Sequence, residues 1–145
     1  MTLVMTKDER ERFLAAVRIG IVAVAEEGRG PLAVPVWYEY EPGGEIRFTT
    51  GADSRKAKAL RAAGRASFTV QQETLPYAYV MAEGPVTIEE PDFERDVRAL
   101  AVRYLGEQGA ARYLGGSTET SGSVLVRIRP ERWLSVDYAK QGRQG

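Results

Sequence analysis

The sequence predicts a mostly β protein with flanking helices: a small, six-stranded, largely antiparallel β-barrel with helices packed outside it. Three observations lead there. Apolar runs of strand length recur along the chain and are joined by Gly- and Pro-containing turns of hairpin type. Regular alternation of strand and helix is missing, which argues against a doubly wound parallel sheet. The chain has 145 residues, 43% hydrophobic and 28% charged, enough for one core and too few for two ordinary domains. Residues 1–145 therefore read as one domain, with 1–5 and 140–145 expected to fray.

The elements follow in order. Thr6-Lys-Asp-Glu9 has the spacing of a capping box, and Phe13, Leu14 and Val17 give the helix behind it an apolar stripe. Ile19–Ala25 is a continuous apolar run, as expected for a barrel wall covered on both faces. Glu26–Pro31 is a turn. Leu32–Tyr40 is a second strand, and Pro35 within it suggests an edge or a bulge, since proline cannot donate to a ladder. Glu41-Pro-Gly-Gly44 connects a hairpin to a third strand, Glu45–Thr50. A helix from about Ser54 to Ala63 ends at Gly64. Ala66–Gln71 and Tyr77–Glu89 are the fourth and fifth strands, the latter bent at Gly84-Pro85. Helical spacing returns over Asp92–Leu105 and, more briefly, Glu107–Leu114. After the polar loop Gly115–Gly122, Ser123–Tyr138 is a sixth strand, interrupted at Pro130.

Absences narrow the chemistry. The chain has no Cys and no His. It has no thiolate nucleophile, no Ser-His-Asp triad and no His-ligated metal. No tight carboxylate motif proposes a metal site. Lys+Arg and Asp+Glu are both 20, and the zero formal net charge disfavours a dedicated nucleic-acid binder. No long apolar run or cleavable leader pattern appears, so no membrane partner is expected and the protein reads as cytoplasmic. An enzyme of this composition takes its difficult chemistry from a cofactor.

The stretch Phe48-Thr-Thr-Gly-Ala-Asp-Ser-Arg-Lys-Ala-Lys58 suggests where that cofactor sits. It runs from strand to helix, with Asp53 or Ser54 as N-cap. Of the 20 cations, four are lysines (Lys7, Lys56, Lys58, Lys140), and two of these crowd the first helical turn beside Arg55. Cations ordinarily favour the other end of a helix. Free N–H groups, hydroxyls and three cations converge on one place, as a phosphate requires. The alternative is a solvated helix face.

With these elements placed, the chain resembles the split-barrel flavin and deazaflavin oxidoreductases, the family like pyridoxamine 5′-phosphate oxidase. The residues that carry the resemblance are Pro35-Val-Trp-Tyr38, Phe48-Thr-Thr50, Ser54-Arg-Lys56 and the strand Ala66–Val70, and it extends over about Asp8 to Tyr138. It implies a six-stranded antiparallel split β-barrel. Arg55 and Lys56 would hold the cofactor phosphate, with Lys58 a third cation, Thr50 and Ser54 offering hydroxyls and Thr49 on the same approach. The strand around Val34, Pro35, Val36 and Trp37 would face the ring. A homodimer with a cofactor at its interface is the family habit.

Two departures set the chain apart from the oxidase proper, where an arginine stands at Val34 and a ring-contacting glutamine at Tyr79. The missing histidine also leaves the substrate side unlike that enzyme's. Pyridoxamine phosphate oxidation is therefore not expected. The phosphate site suits either coenzyme F420 or flavin mononucleotide (FMN). The excess of arginine, 16 to four lysines, is of the kind seen in GC-rich genomes that make F420. The expected activity is F420-dependent hydride transfer to a small organic acceptor. The alternatives are an FMN-binding oxidase-like protein and a non-catalytic flavin or haem-type binder or carrier. Trp37 and Trp133 read either as pocket lining or as plain core, and Tyr77 and Tyr79, on one strand face, as ring cover, dimer interface or core.

Overall fold

In the computed structural model, which describes residues 2–143, helix α1 (Lys7–Ala15) precedes strands β1 (Gly20–Val24), β2 (Leu32–Val36) and β3 (Ile46–Gly51). Helix α2 (Arg55–Ala63) leads into β4 (Arg65–Gln72) and the long β5 (Ala78–Glu89). A π-helical turn (Phe93–Arg98) runs into α3 (Ala99–Leu114), which breaks at Gly106 (φ 75°), followed by β6 (Ser123–Ile128), β7 (Arg132–Asp137) and a 3₁₀ segment (Tyr138–Arg143). The strands follow the path β2-β1-β4-β5-β6-β3, with β7 added beside β5, and every pairing is antiparallel. This is the expected split barrel. No helix among the described residues is long and apolar enough to cross a membrane.

The strand count differs from the expected six because the last strand divides in two around Pro130. β6 pairs with β3 and with the second half of β5, whereas β7 pairs with the first half. The partner change falls at the predicted bend. Glu83 still faces Arg132, and Val86 already faces Ile128. Gly84 is required there, since a Cβ at that position would overlap the Arg129 carbonyl.

The core is an aromatic and aliphatic cluster inside the curl of the sheet. Tyr38, Phe48, Phe68, Leu14, Ile46 and Leu60 are its largest fully buried members. Phe68 meets Tyr38 edge-on at 4.9 Å and Phe48 at 6.2 Å. Gly20 leaves the space that the Phe68 ring fills. The Tyr38 hydroxyl donates to Leu14 O at 2.6 Å, and burial raises its pKa above the ordinary phenol range. A pair of backbone hydrogen bonds between Glu39 and Arg47 joins the stem of the hairpin, where β2 has left its ladder.

Two sequence expectations change. Val17 lies beyond the end of α1 and is exposed, so Leu14, with Phe13 and Ala15, seats that helix. The run Ile19–Ala25 is covered on one face only: Ile21 is 37% exposed although Val22 and Val24 are buried. That outer face carries a largely apolar row in register, Pro35–Ile21–Thr69–Met81–Leu134. Leu3, Met5 and Lys140, among the residues expected to fray, bond to the body of the fold. Asp137 N donates to Leu3 O at 2.8 Å, Met5 N to Ser135 Oγ at 3.1 Å, and Lys140 pairs with Glu9 at 2.7 Å. Met1, Gln144 and Gly145, also expected to fray, lie outside the described residues.

Candidate functional site

The β3–α2 junction is built by its hydroxyls. Ser54 is the N-cap, accepting from Ala57 N at 3.1 Å and donating to Gly51 O at 2.7 Å. Thr50 Oγ1 lies 3.3 Å from Ser54 Oγ. The loop is braced by Ala52 N to Gly122 O and by the Arg61 guanidinium to Ala52 O, both 2.8 Å. Asp53, the other candidate cap, is exposed and takes no part. Thr49, one residue back, faces the opposite side of β3 from Thr50.

The first turn of α2 contains no acid, so the three cations there add to the positive helix end rather than offset it. Each stands in a different state. Arg55 is held by Glu26 of the β1–β2 turn, with Nε to Oε2 at 3.0 Å. Glu26 is a partner that the sequence reading missed, because 29 residues separate the pair. The Arg55 hydrogen bond keeps the Glu26 carboxyl below its ordinary range. Lys56 is half-buried, has no carboxylate partner among the described residues, and burial lowers its pKa. Lys58 is exposed and, with Arg29, Arg55 and Glu26, lines a cavity of about 550 Å³ between the turn and the helix.

β2 lies at the edge of the sheet, pairing only with β1. Val34 and Val36 pack against the core, so their side chains face away from any ligand beside the edge, while Pro35 is exposed. What β2 offers outward is unpaired backbone. Trp37 follows the last ladder residue and stacks on Tyr104 of α3, with rings 5.0 Å apart and 6° from parallel. Tyr113 adds a tilted ring at 5.6 Å. Tyr104 is pinned by its hydroxyl, which donates to Arg18 O at 2.6 Å and accepts from Tyr38 N at 3.1 Å. Ile19, Pro35, Val36 and Trp37 line a second cavity of about 350 Å³.

Within one chain the site residues thus fall into separate groups. Thr50, Ser54, Arg55, Lys56 and Lys58 all stand at the start of α2, where Arg55 and Lys58 line the cavity and Lys56, two positions from Lys58, lies on another side of the helix. Val34–Trp37 run along the open edge. Tyr79 lies on the outer face of β5, between Gln71 and Val136 in register. Ser67, opposite Ala23 near the β1–β2 turn, is four residues from Gln71, so Tyr79 stands about 13 Å along the strands from that end. Trp133 is a wall of another cavity and packs edge-on against Tyr40 at 6.3 Å.

The family model described as pyridoxamine 5′-phosphate oxidase matches residues 6–137, and the chain belongs to that family. Among solved structures, it is similar to the conserved hypothetical protein Rv2991 from Mycobacterium tuberculosis. That likeness has 28% identity over 99% of this chain and 91% of the other, at a TM-score of 0.80. An F420 reductase shares the fold at 22% identity, over 86% of this chain and 94% of its own, with a TM-score of 0.69. A FAD-binding protein from Mesorhizobium loti does so at 23% identity, covering 91% and 94%, with a TM-score of 0.66. No curated protein matches the sequence.

Proposed function

We propose that this protein is an oxidoreductase that binds a phosphate-bearing flavin-type cofactor, F420 in preference to FMN, and serves hydride transfer to a small organic acceptor. The observation that carries the reading is Lys56. A half-buried ammonium with no carboxylate partner among the described residues, in the first turn of a helix that has no acid there, fits a phosphate better than it fits the ligand-free chain. Ser54 and Thr50 contribute hydroxyls beside it, whereas Thr49, on the other side of β3, takes no part. Arg55 reaches the same anion by giving up or sharing Glu26. Lys58 adds charge from the solvent side. The open edge at Val34–Val36 supplies backbone to a flat ring, and Trp37, rigid on Tyr104, supplies a face to stack on. When bound, the cofactor supplies the hydride. The chain's own residues anchor the phosphate, orient the ring and exclude water.

The family membership supports a flavin-type cofactor, and the F420 reductase and the FAD-binding protein of the same fold supply its two branches. A homodimer completes the site in this reading. The apolar row Pro35–Ile21–Met81–Leu134 is the surface a second copy covers, and it brings Tyr79 to the interface. Fluorescence titration with F420 and, separately, FMN tests the proposal. Saturable binding of F420, with turnover of the reduced cofactor by enones or quinones, supports it. FMN binding alone moves the protein to the flavin branch, binding without turnover makes it a carrier or sensor, and binding of neither overturns the site.

A further inference from the structure

We propose that the cavity between α1 and the β2–β3 hairpin is a second binding site, one that takes a small aromatic anion. Its volume is about 560 Å³, a size that small-molecule sites commonly have, and it shares no lining residue with the α2 turn or the β2 edge. Five cations line it, Lys7, Arg10, Arg47, Arg127 and Arg129, against three carboxylates, Glu11, Glu41 and Glu45. Three of these cations are paired with carboxylates outside the lining, and among the described residues Glu41 and Glu45 have no cation partner, so the preference for an anion rests on Lys7 and Arg10.

The pairings show which of these charges remain available. Arg47 is held by Glu39 at 3.3 Å, Arg127 by Glu89 and Arg129 by Glu131 at 3.3 Å. Glu11 is committed to the hairpin, accepting from Gly43 N at 3.2 Å and from the Tyr40 hydroxyl at 3.4 Å. Lys7 and Arg10 have no carboxylate partner among the described residues.

Arg10 is the centre of the site. Its guanidinium carbon lies 4.6 Å from the centroid of Trp133, and its Nε is buried with no acceptor. The indole fixes the guanidinium, and part of its dehydration is complete before any ligand arrives; both lower the cost of binding an anion. Tyr40 and Trp133, packed edge-on, give the same cavity an aromatic wall. The combination selects a ligand with a carboxylate, sulfonate or phosphate for Lys7 and Arg10 and a flat ring for the wall. A neutral aromatic lacks the first feature, and free phosphate lacks the second.

Trp133 itself reports occupancy, since the chain has two tryptophans and the Trp37→Phe variant leaves it alone. Titration of that variant with 2-naphthoate, 2-naphthol and inorganic phosphate, checked by calorimetry on the wild type, tests the assignment. Saturable quenching by naphthoate is expected, with naphthol and phosphate at least about tenfold weaker. Arg10→Gln and Lys7→Gln should each weaken naphthoate binding about tenfold or more, the size of one charge-assisted hydrogen bond, and leave F420 or FMN affinity unchanged. Lys7 is exposed, so its variant decides the matter if Arg10→Gln does not fold. No saturable naphthoate response, equal binding of naphthol, or unaltered naphthoate affinity in the folded variants overturns the site.

Discussion

Two helix N-termini in this chain are capped alike and charged oppositely. Thr6 caps α1 through a full capping box, and Asp8 and Glu9 occupy its first turn. Ser54 caps α2 with the same hydroxyl-to-amide bond, and the first turn holds Arg55, Lys56 and Lys58 with no acid. The first end satisfies its own dipole, and Lys140 then binds Glu9 from the chain's other terminus. The second end is left positive, with only Glu26 set against Arg55. Equal caps thus sit in different electrostatic settings: the acids of α1 offset its helix end, whereas α2 stays positive at the end where the phosphate is proposed.

The largest effect expected from this contrast is on the structural helix. Leu14→Ala removes a fully buried side chain and should cost about 2–5 kcal/mol in urea unfolding, while the folded fraction keeps its cofactor affinity. A comparable loss of affinity per folded molecule would put α1 in the cofactor site. Lys56→Ala should do the reverse. Cofactor binding weakens by about 1.5–3 kcal/mol, the scale of a charge-assisted hydrogen bond, and the cofactor-free protein melts no lower than wild type because burial penalises the lysine's charge. Arg55→Ala should fall near the lower end of that range, since Glu26 already shares its charge. A melting temperature lowered by Lys56→Ala would show an internal partner for the lysine.

The caps sharpen the comparison at smaller scale. Thr6→Ala and Ser54→Ala should each cost about 1 kcal/mol of stability, and only Ser54→Ala should also weaken the cofactor. Equal effects of the two on binding would erase the distinction.

The smallest effect is a pH dependence at α1. The Lys140 ammonium, and after it the Thr6 N–H, hold the Glu9 carboxyl down from 4.5 to about 2. A depressed carboxylate stabilises the fold above its unfolded pKa and ceases to do so as pH falls through its folded one. The melting-temperature gap between wild type and Glu9→Gln should therefore be full at neutral pH and close between about pH 4.5 and 2. A gap that stays constant over that window would contradict the pairing.

Much of this was legible in the sequence because its signals are local. The capping box, the Ser54 cap, Gly64 as left-handed C-cap and Gly106 as the break between two helices each lie within a few residues of their cause. Pro35 marked an edge strand correctly for the same reason. What failed was set by distant neighbours. The apolar run Ile19–Ala25 looks like a strand buried on both faces, but only the fold shows that one face is uncovered. The last strand reads as one interrupted element until β5 is seen to give its two pieces separate partners. Glu26 meets Arg55, and Tyr104 carries Trp37, only after the sheet has closed. The alternation of β2, which turns the Val34 and Val36 side chains toward the core, likewise shows only in the paired sheet. The resemblance points to a phosphate turn from three short motifs, and the burial of Lys56 is visible only in the fold.

The most direct test of the central claim pairs Lys56 with the phosphate itself. Affinities would be measured by fluorescence for F420 and for its phosphate-free deazaflavin core, in wild type and in Lys56→Met. The account predicts that wild type prefers the phosphate-bearing form and that Lys56→Met loses about 1.5–3 kcal/mol of that preference while binding the core unchanged. An equal loss for both forms, or none for either, would contradict a phosphate at the start of α2.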